Sequence, residues 1–350
     1  MYKAGYKKYL LQFKQPSGTS RGILTEKPTW FIKIWDVSNP ALVGIGECSI
    51  LKGLSIDDVE NYEDVLDDIC KNINTYAGDL SGKLSAFPSL IFGIETALLD
   101  LKNGGKRILF PSAFTDGYEG IPINGLIWMG NIGFMKEQLR KKIEEGYRCI
   151  KIKIGAVEFE EELKLLNTLR QQYPHIEIRL DANGAFSLDG VKEKLRRLSK
   201  HKIHSIEQPI KQGNWSAMAD LCKESPIPIA LDEELIGINT YTKKEDLITS
   251  IKPQYIILKP SLLGGIKHCE EWIKLAEQYK VGWWVTSALE SNIGLNAIAQ
   301  WTFTLNSKLP QGLGTGQLYT NNIPSPMLIE DSKLWYMGDE WSLDRIETEE

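Results

Sequence analysis

Five short apolar segments, each carrying charge at its end, recur along the middle of this chain at spacings of 25 to 28 residues. They read CIKIKI, IEIRLDAN, IHSIEQP, IPIALDEE and YIILKP, and their charges are Lys151 with Lys153, then Asp181, Glu207, Asp232 and Lys259. One strand, one helix and two short loops together take about that many residues. The stretches between them, such as FEEELKLLNTLRQQY, LDGVKEKLRRLSK and KHCEEWIKLAEQYK, have helical amphipathic spacing. Strands alternating with helices imply a parallel sheet, and right-handed crossovers close it into a barrel. The C-terminal strand ends of such a barrel meet at one mouth. Three carboxylates are then expected to converge between two lysine positions.

At 350 residues the chain is longer than one barrel of roughly 200–250. Residues 1–115 read as a separate α+β unit. Tyr6–Phe13 and Trp30–Val37 alternate as strands do, and FPSLIFGIETALLDL reads as a buried helix. Between the two strands, QPSGTSRGILTEKPT is rich in Gly, Ser, Thr and Pro and is expected to be a mobile loop. Its residues 15–27 are placed as a lid over the site. Residues 116–323 are the expected barrel, with a first strand at Ile121–Ile127, a seventh at GWWVTSAL and a short eighth near Gly312–Gly316. The tail, 324–350, is expected to pack back on the first unit.

Composition narrows the function. Apolar residues at 42 % can fill a large core, and the net charge of −5 with no basic block gives no footprint for nucleic acid. No apolar run approaches a membrane span and no signal-peptide core opens the chain. Five dispersed cysteines read as reduced thiols of a cytoplasmic protein. The expected partner is a small-molecule carboxylate, and nothing in the chain specifies an oligomer.

A single strand-end carboxylate is most often a helix cap or a surface charge. Asp181, Glu207 and Asp232 in consecutive units are different, because like charges at one mouth repel unless a cation or protons neutralise them. Oxygen-only ligands favour Mg²⁺, and Mn²⁺ suits the same set. Lys151 and Lys153, two apart on one strand, point to the same side. A structural ion network is the plain reading of that pair. The functional one uses the mutual repulsion, which depresses a lysine pKa toward the range of a general base. Lys259, four strands on, is a second base or a fixed positive charge. A dication with lysines on two sides suits removal of the weakly acidic α-proton of a carboxylate.

These residues resemble the enolase superfamily, specifically its muconate-lactonizing subgroup. The matching pieces are KIKIG at 151–155, LDANGAF at 180–186, IEQP at 206–209, LDEE at 231–234 and LKPSLLGG at 258–265. GIGEC at 44–48 and IETALLDL at 94–101 resemble that superfamily's capping domain. The resemblance implies a (β/α)7β TIM-like barrel behind an N-terminal α+β cap, and a lysine base working with Mg²⁺. Within the subgroup, TSALESNIGLNAIAQ at 286–300 and GLGTG at 312–316 are similar to members that dehydrate 2-succinyl-6-hydroxy-2,4-cyclohexadiene-1-carboxylate in menaquinone synthesis. Ser287-Ala288-Leu289 stands where dipeptide epimerases carry Asp-x-Asp, and Lys259 where mandelate-racemase-like members carry a His–Asp dyad. The alternative the resemblance allows is an N-succinylamino acid racemase, with both lysines as bases.

For the dehydration the resemblance implies Lys153 as base, and Asp181, Glu207 and Asp232 as metal ligands. It gives Lys259 as a stabilising charge over the ring, and Lys151 as a hydrogen-bond donor that lowers the pKa of Lys153. Ser287 and the backbone at Leu289 are candidates for a substrate carboxylate, against a plain loop turn. Asn183 is a substrate contact or ordinary Asn-Gly turn chemistry. Gly264 permits close backbone approach to a ligand or simply turns the chain. Ser20 is placed in the lid.

Overall fold

The structure is a computed structural model that describes residues 1–19 and 22–346. It begins with an antiparallel sheet of β1 (Tyr2–Thr19), β2 (Gly22–Asp36) and β3 (Asn39–Ser49), in that order. The segment expected to be a loop is instead the far end of the β1–β2 hairpin. Its pairing continues through Ser17↔Leu24, Gly18↔Ile23 and Thr19↔Gly22, after an irregularity between Gln12 and Ser17. Composition misleads here because cross-strand pairing, supplied by the partner strand, overrides weak strand propensity. Ser20, placed in the lid from sequence, lies outside the described residues.

Helix Pro88–Lys102 packs across β3. The approach is so close that a Cβ on Gly44 or Gly46 would overlap the carbonyl oxygens of Ala97 and Gly93, which explains the GIG of the GIGEC segment. The same helix reaches the barrel through Glu95, whose carboxylate accepts from Ile266 N at 2.6 Å and Lys267 N at 3.2 Å. Glu95 fills the space a side chain at Gly265 would need. The Gly264-Gly265 pair therefore admits a carboxylate of the cap to the first turn of the helix Gly265–Gln278.

After β4 (Ile121–Pro122) come the barrel strands β5 (Gly125–Ile127), β6 (Cys149–Lys153), β7 (Glu177–Asp181), β8 (Ser205–Glu207), β9 (Ile229–Leu231), β10 (Tyr255–Leu258) and β11 (Gly282–Val285). They pair in parallel, each beside its sequence neighbour. The expected first strand is thus divided. Ile121–Pro122 pairs with β13 (Lys333–Tyr336), which pairs in turn with β12 (Met327–Glu330), and only Gly125–Ile127 joins the barrel. Pro122 has no N–H to give a central ladder. The eighth strand is reduced to Gln311 and Gly312, which bridge Ile123 on one side and Thr286 on the other. Gly314–Gln317 then turns as a 3-10 helix. The last residues Trp341, Leu343 and Ile346 pack with Phe31 and Ile45 of the first sheet.

Strand side chains on the outer face, Ile150, Ile152, Ile178 and Leu180, meet helix residues such as Leu163, Leu166 and Leu169 in one core. Full burial of each is worth about 1.5–3 kcal/mol. Beneath the mouth, Ala230, Ile257 and Trp284 fill the barrel, and the Arg179 guanidinium lies 4.3 Å from the Trp284 ring centroid. This packing fixes the height at which the next layer of side chains, the charged one, emerges.

Candidate active site

Register places the charges. Lys153 pairs with Asp181 and Asp181 with Glu207, so these three strand ends lie side by side. Asp232 and Lys259 each follow directly on a strand, after β9 and β10. One oxygen from each of Asp181, Glu207 and Asp232 lies within 4.8 Å of the others, and all three residues are buried. The five separate sequence segments therefore form one site.

The lysines share this acidic cluster. Lys151 Nζ is 2.9 Å from Asp181 Oδ2 and also hydrogen-bonds Glu207 Oε2. Lys153 Nζ is 3.0 Å from the same Asp181 oxygen and donates to Asn183 Oδ1 at 2.8 Å. Lys259 Nζ is 2.5 Å from Asp232 Oδ2.

Burial disfavours all three ammonium groups, and the neighbours decide each outcome. At Lys153, burial is the largest influence; Asp181 opposes it, while Lys151 and Lys259 add to it, and the pKa falls below the ordinary lysine range. At Lys151, burial is outweighed by Asp181, Glu207 and Asp232, so the pKa is raised. At Lys259, burial is outweighed chiefly by Asp232, again raising it. Burial pushes Glu207 up to about 8, with Lys151 opposing and Asp181 and Asp232 adding. Asp181 is held well below the usual carboxylate range because its three lysine neighbours outweigh burial.

The carboxylates fit a divalent cation. The donor set is oxygen only, and Glu207 Oε1 is buried without a hydrogen-bond partner among the described residues. A buried orphan oxygen beside two further carboxylates is explained by an ion that would complete it.

Sequence reading missed Gln208, whose backbone φ is +38°. Its Oε1 accepts from Asp232 N and Glu234 N, both at 3.2 Å, and its Nε2 donates to Glu234 Oε2 at 2.9 Å. It therefore sets the turn that presents Asp232. Asn183, also in the left-handed region at φ +42°, donates to Glu233 Oε1 at 3.0 Å while accepting from Lys153. Trp128, 6.0 Å from Lys153 Nζ to ring centroid, was missed too. Its only signal in the sequence is an aromatic residue just past a barrel strand.

A cavity of about 670 Å³ opens above this layer. Its walls include Lys151, Lys153, Lys259 and Asn183 from the barrel, Ser17, Gly22 and Leu24 from the hairpin, and Leu51 and Leu54 from the first unit. Gly18 bridges Met129, fastening hairpin to barrel. Ser287 and Leu289 line the cavity, but the Ser287 hydroxyl is engaged with Thr315 Oγ1 at 2.5 Å. The neighbouring Thr286 also lines it, but its hydroxyl is buried and has no partner among the described residues. Gly264 is not among the lining residues; it ends the short helix Pro260–Leu263 at φ +93°, against His268.

A parallel β/α barrel with an oxygen-only triad between lysines of opposite pKa displacement defines an enzyme of metal-assisted acid–base chemistry. The family model described as "Enolase C-terminal domain-like" matches residues 134–335. The o-succinylbenzoate synthase of Desulfotalea psychrophila is 46% identical, over 94% of this chain and 97% of its own. The crystal structure of MenC from Desulfotalea psychrophila LSv54 superimposes with a TM-score of 0.84 at 42% identity, covering 95% of this chain and 99% of that one. The N-succinylamino acid racemase of Thermus thermophilus is 31% identical, but over 45% of this chain and 40% of its own. The chain belongs to the enolase C-terminal-domain-like family and, within it, to the o-succinylbenzoate synthases. No helix among the described residues is long and apolar enough to cross a membrane.

Proposed function

We propose that this enzyme converts 2-succinyl-6-hydroxy-2,4-cyclohexadiene-1-carboxylate to 2-succinylbenzoate and water, in the cytoplasm, as a step of menaquinone synthesis. The observation that carries the reading is the placement of Lys153 and Lys259 on two sides of one acidic triad, in a chain 46% identical over 94% of its length to an o-succinylbenzoate synthase.

Lys153 takes the α-proton as the C–H bond breaks, then returns a proton to the departing hydroxyl on the same face. The C–O bond breaks, water leaves and the ring becomes aromatic. Asp181 and Asn183, at 3.0 and 2.8 Å, hold the Lys153 nitrogen in direction. Lys259 keeps a positive charge near the ring as negative charge develops on the carboxylate oxygens. Lys151 holds Asp181 and Glu207 together and, by its charge, helps keep Lys153 weakly basic. Asp181, Glu207 and Asp232 would hold Mg²⁺, and Mn²⁺ would satisfy the same donors. Bound there, the ion supplies electrostatic stabilisation of the oxygen charge that forms as the proton leaves. Ser287 and the backbone at Leu289, which line the cavity, offer polar contact to the succinyl arm. The hairpin residues shield the reacting centre from water.

Complementation tests the proposal. A menaquinone-dependent bacterium lacking its own o-succinylbenzoate synthase should regain growth when given this chain, and not when given its Lys153→Ala form. Failure to restore growth by well-expressed, folded protein would contradict it.

A further inference from the structure

Away from the metal layer, one residue of the cavity wall stands in a backbone conformation that its side chain does not favour. Leu289, in the loop after β11, has φ +63°, in the left-handed region where a leucine stays only if its surroundings hold it. Two neighbours do so from either side. The carboxylate of the buried Glu290 accepts from Ala288 N at 2.7 Å. Tyr319, also buried, donates its hydroxyl to the carbonyl oxygen of Leu289 itself at 2.6 Å.

Tyr319 is the residue on which the hairpin rests as well. Its ring meets that of Phe13 on β1 edge-on, with centroids 4.8 Å apart, and the two residues form a backbone bridge. Hydrogen bonds on either side extend the contact: Lys14 N donates to Leu318 O at 2.8 Å, and Thr320 N donates to Gln12 O at 2.9 Å. Leu11, Leu24 and Leu289 belong to the same apolar cluster.

A bare aromatic ring would serve that packing. The hydroxyl goes beyond it, to the residue of loop 286–291 whose φ is positive. Burial raises the Tyr319 phenol well above its ordinary range, so the hydroxyl keeps its proton and remains a donor. Without that bond, Leu289 is free to relax to negative φ, which turns the following peptide and reshapes the cavity wall.

We infer that Tyr319 is a positioning residue for the far end of the substrate. Its hydroxyl holds Leu289 in the left-handed conformation, and so shapes the 287–289 backbone that receives the terminal carboxylate of the succinyl arm beneath the hairpin. The inference rests on the reading of this loop as the contact for that arm.

The test is calorimetric binding of two ligands to full-length protein with Mg²⁺, alongside steady-state dehydration, for Tyr319→Phe, Leu289→Gly and the double variant. The ligands are 2-succinylbenzoate and 2-butanoylbenzoate, which has a methyl group where the succinyl arm ends in a carboxylate. Tyr319→Phe keeps a ring against Phe13; it should weaken 2-succinylbenzoate by about tenfold and 2-butanoylbenzoate by less than about twofold. KM should rise by about tenfold with kcat within about twofold, since fewer molecules hold the competent loop. Glycine takes positive φ without steric cost, so adding Tyr319→Phe to Leu289→Gly should weaken 2-succinylbenzoate by no more than about threefold. Equal weakening of the two ligands by Tyr319→Phe, or a full further tenfold loss in the glycine background, would overturn the inference. Should Tyr319→Phe fail to fold, Leu289→Val tests the same conformation with Tyr319 in place, because a β-branched residue resists positive φ. Selective loss of 2-succinylbenzoate would then support the inference, and unchanged affinity would overturn it. The selective binding pattern without dehydration by wild type would leave the inference standing and count against the assigned reaction.

Discussion

Lys153 and Lys259 enter one cavity from strands four apart, Lys153 lying 3.0 Å from Asp181 Oδ2 and Lys259 lying 2.5 Å from Asp232 Oδ2. Asp181 must also answer Lys151, whereas Asp232 is the leading support of Lys259. Asp181 thus pairs with two lysines and Asp232 with Lys259, which separates the settings of two chemically identical side chains.

That separation predicts an order among substitutions. Lys153→Ala should lower kcat by about 10²–10⁴-fold, the usual worth of a positioned general base. Lys259→Arg preserves charge and should keep more activity than Lys153→Arg, which has no proton to give up at working pH. Equal losses in the two arginine variants, measured by steady-state kinetics, would refute a fixed-charge role for Lys259.

Lys151 neutralises Asp181 and Glu207 in the absence of an ion. Lys151→Met should destabilise the metal-free protein by about 3–5 kcal/mol, since it leaves buried carboxylates unanswered. Millimolar Mg²⁺ should recover much of that loss by binding the folded state. Thermal unfolding with EDTA and with Mg²⁺ reads both effects; a variant whose Tm ignores the ion would count against a metal site at this triad.

The hydroxyls of Thr286 and Ser287 are neighbours with different prospects. Thr286→Val removes a buried hydroxyl that has no partner among the described residues, so stability should hold or improve while KM stays within about twofold. Ser287→Ala strips Thr315 of its partner at the cavity wall and should cost stability by about 1–2 kcal/mol while KM rises by about tenfold for one lost polar contact. Denaturant melts paired with kinetics distinguish the two, and the reverse pattern would exchange their roles.

His268 gives a pH dependence. Lys244 Nζ, which can only donate, lies 3.1 Å from His268 Nδ1, so the ring accepts there and its Nε2–H donates to Ser81 Oγ of the cap at 3.0 Å. Burial, with Lys244 adding, lowers the pKa from its ordinary 6.5. The unfolded chain therefore takes up the proton first, so this residue contributes stability above about pH 6.5 that is lost as pH falls below it. His268→Gln should flatten the fall in Tm between pH 7 and pH 5. An unchanged slope would place the acid sensitivity elsewhere.

Much of this was legible in the sequence because the barrel repeats itself. A charge at the end of each apolar run marks both the strand and its mouth, so the sequence alone points to Lys151, Lys153, Asp181, Glu207, Asp232 and Lys259. What escaped depended on partners far along the chain. The hairpin looked like a loop because Gly18 and Ser17 gain strand character only opposite Ile23 and Leu24. The break in the first barrel strand is hidden because Ile121 and Ile123 are buried apolar residues that suit either sheet. Gly264 looked like a ligand cradle, yet the carboxylate admitted beside it is Glu95, about 170 residues earlier, visible only once the cap is docked. The pairing of Ser287 with Thr315 is likewise invisible in the sequence, because the two hydroxyls come from segments 28 residues apart.

The most direct measurement is the loss of cyclohexadiene absorbance when purified protein meets 2-succinyl-6-hydroxy-2,4-cyclohexadiene-1-carboxylate, with Mg²⁺ and with EDTA. Rapid loss that requires the ion and disappears in Lys153→Ala is the predicted result. No loss from folded, metal-bound protein, or loss indifferent to both EDTA and Lys153, would contradict the assigned dehydration.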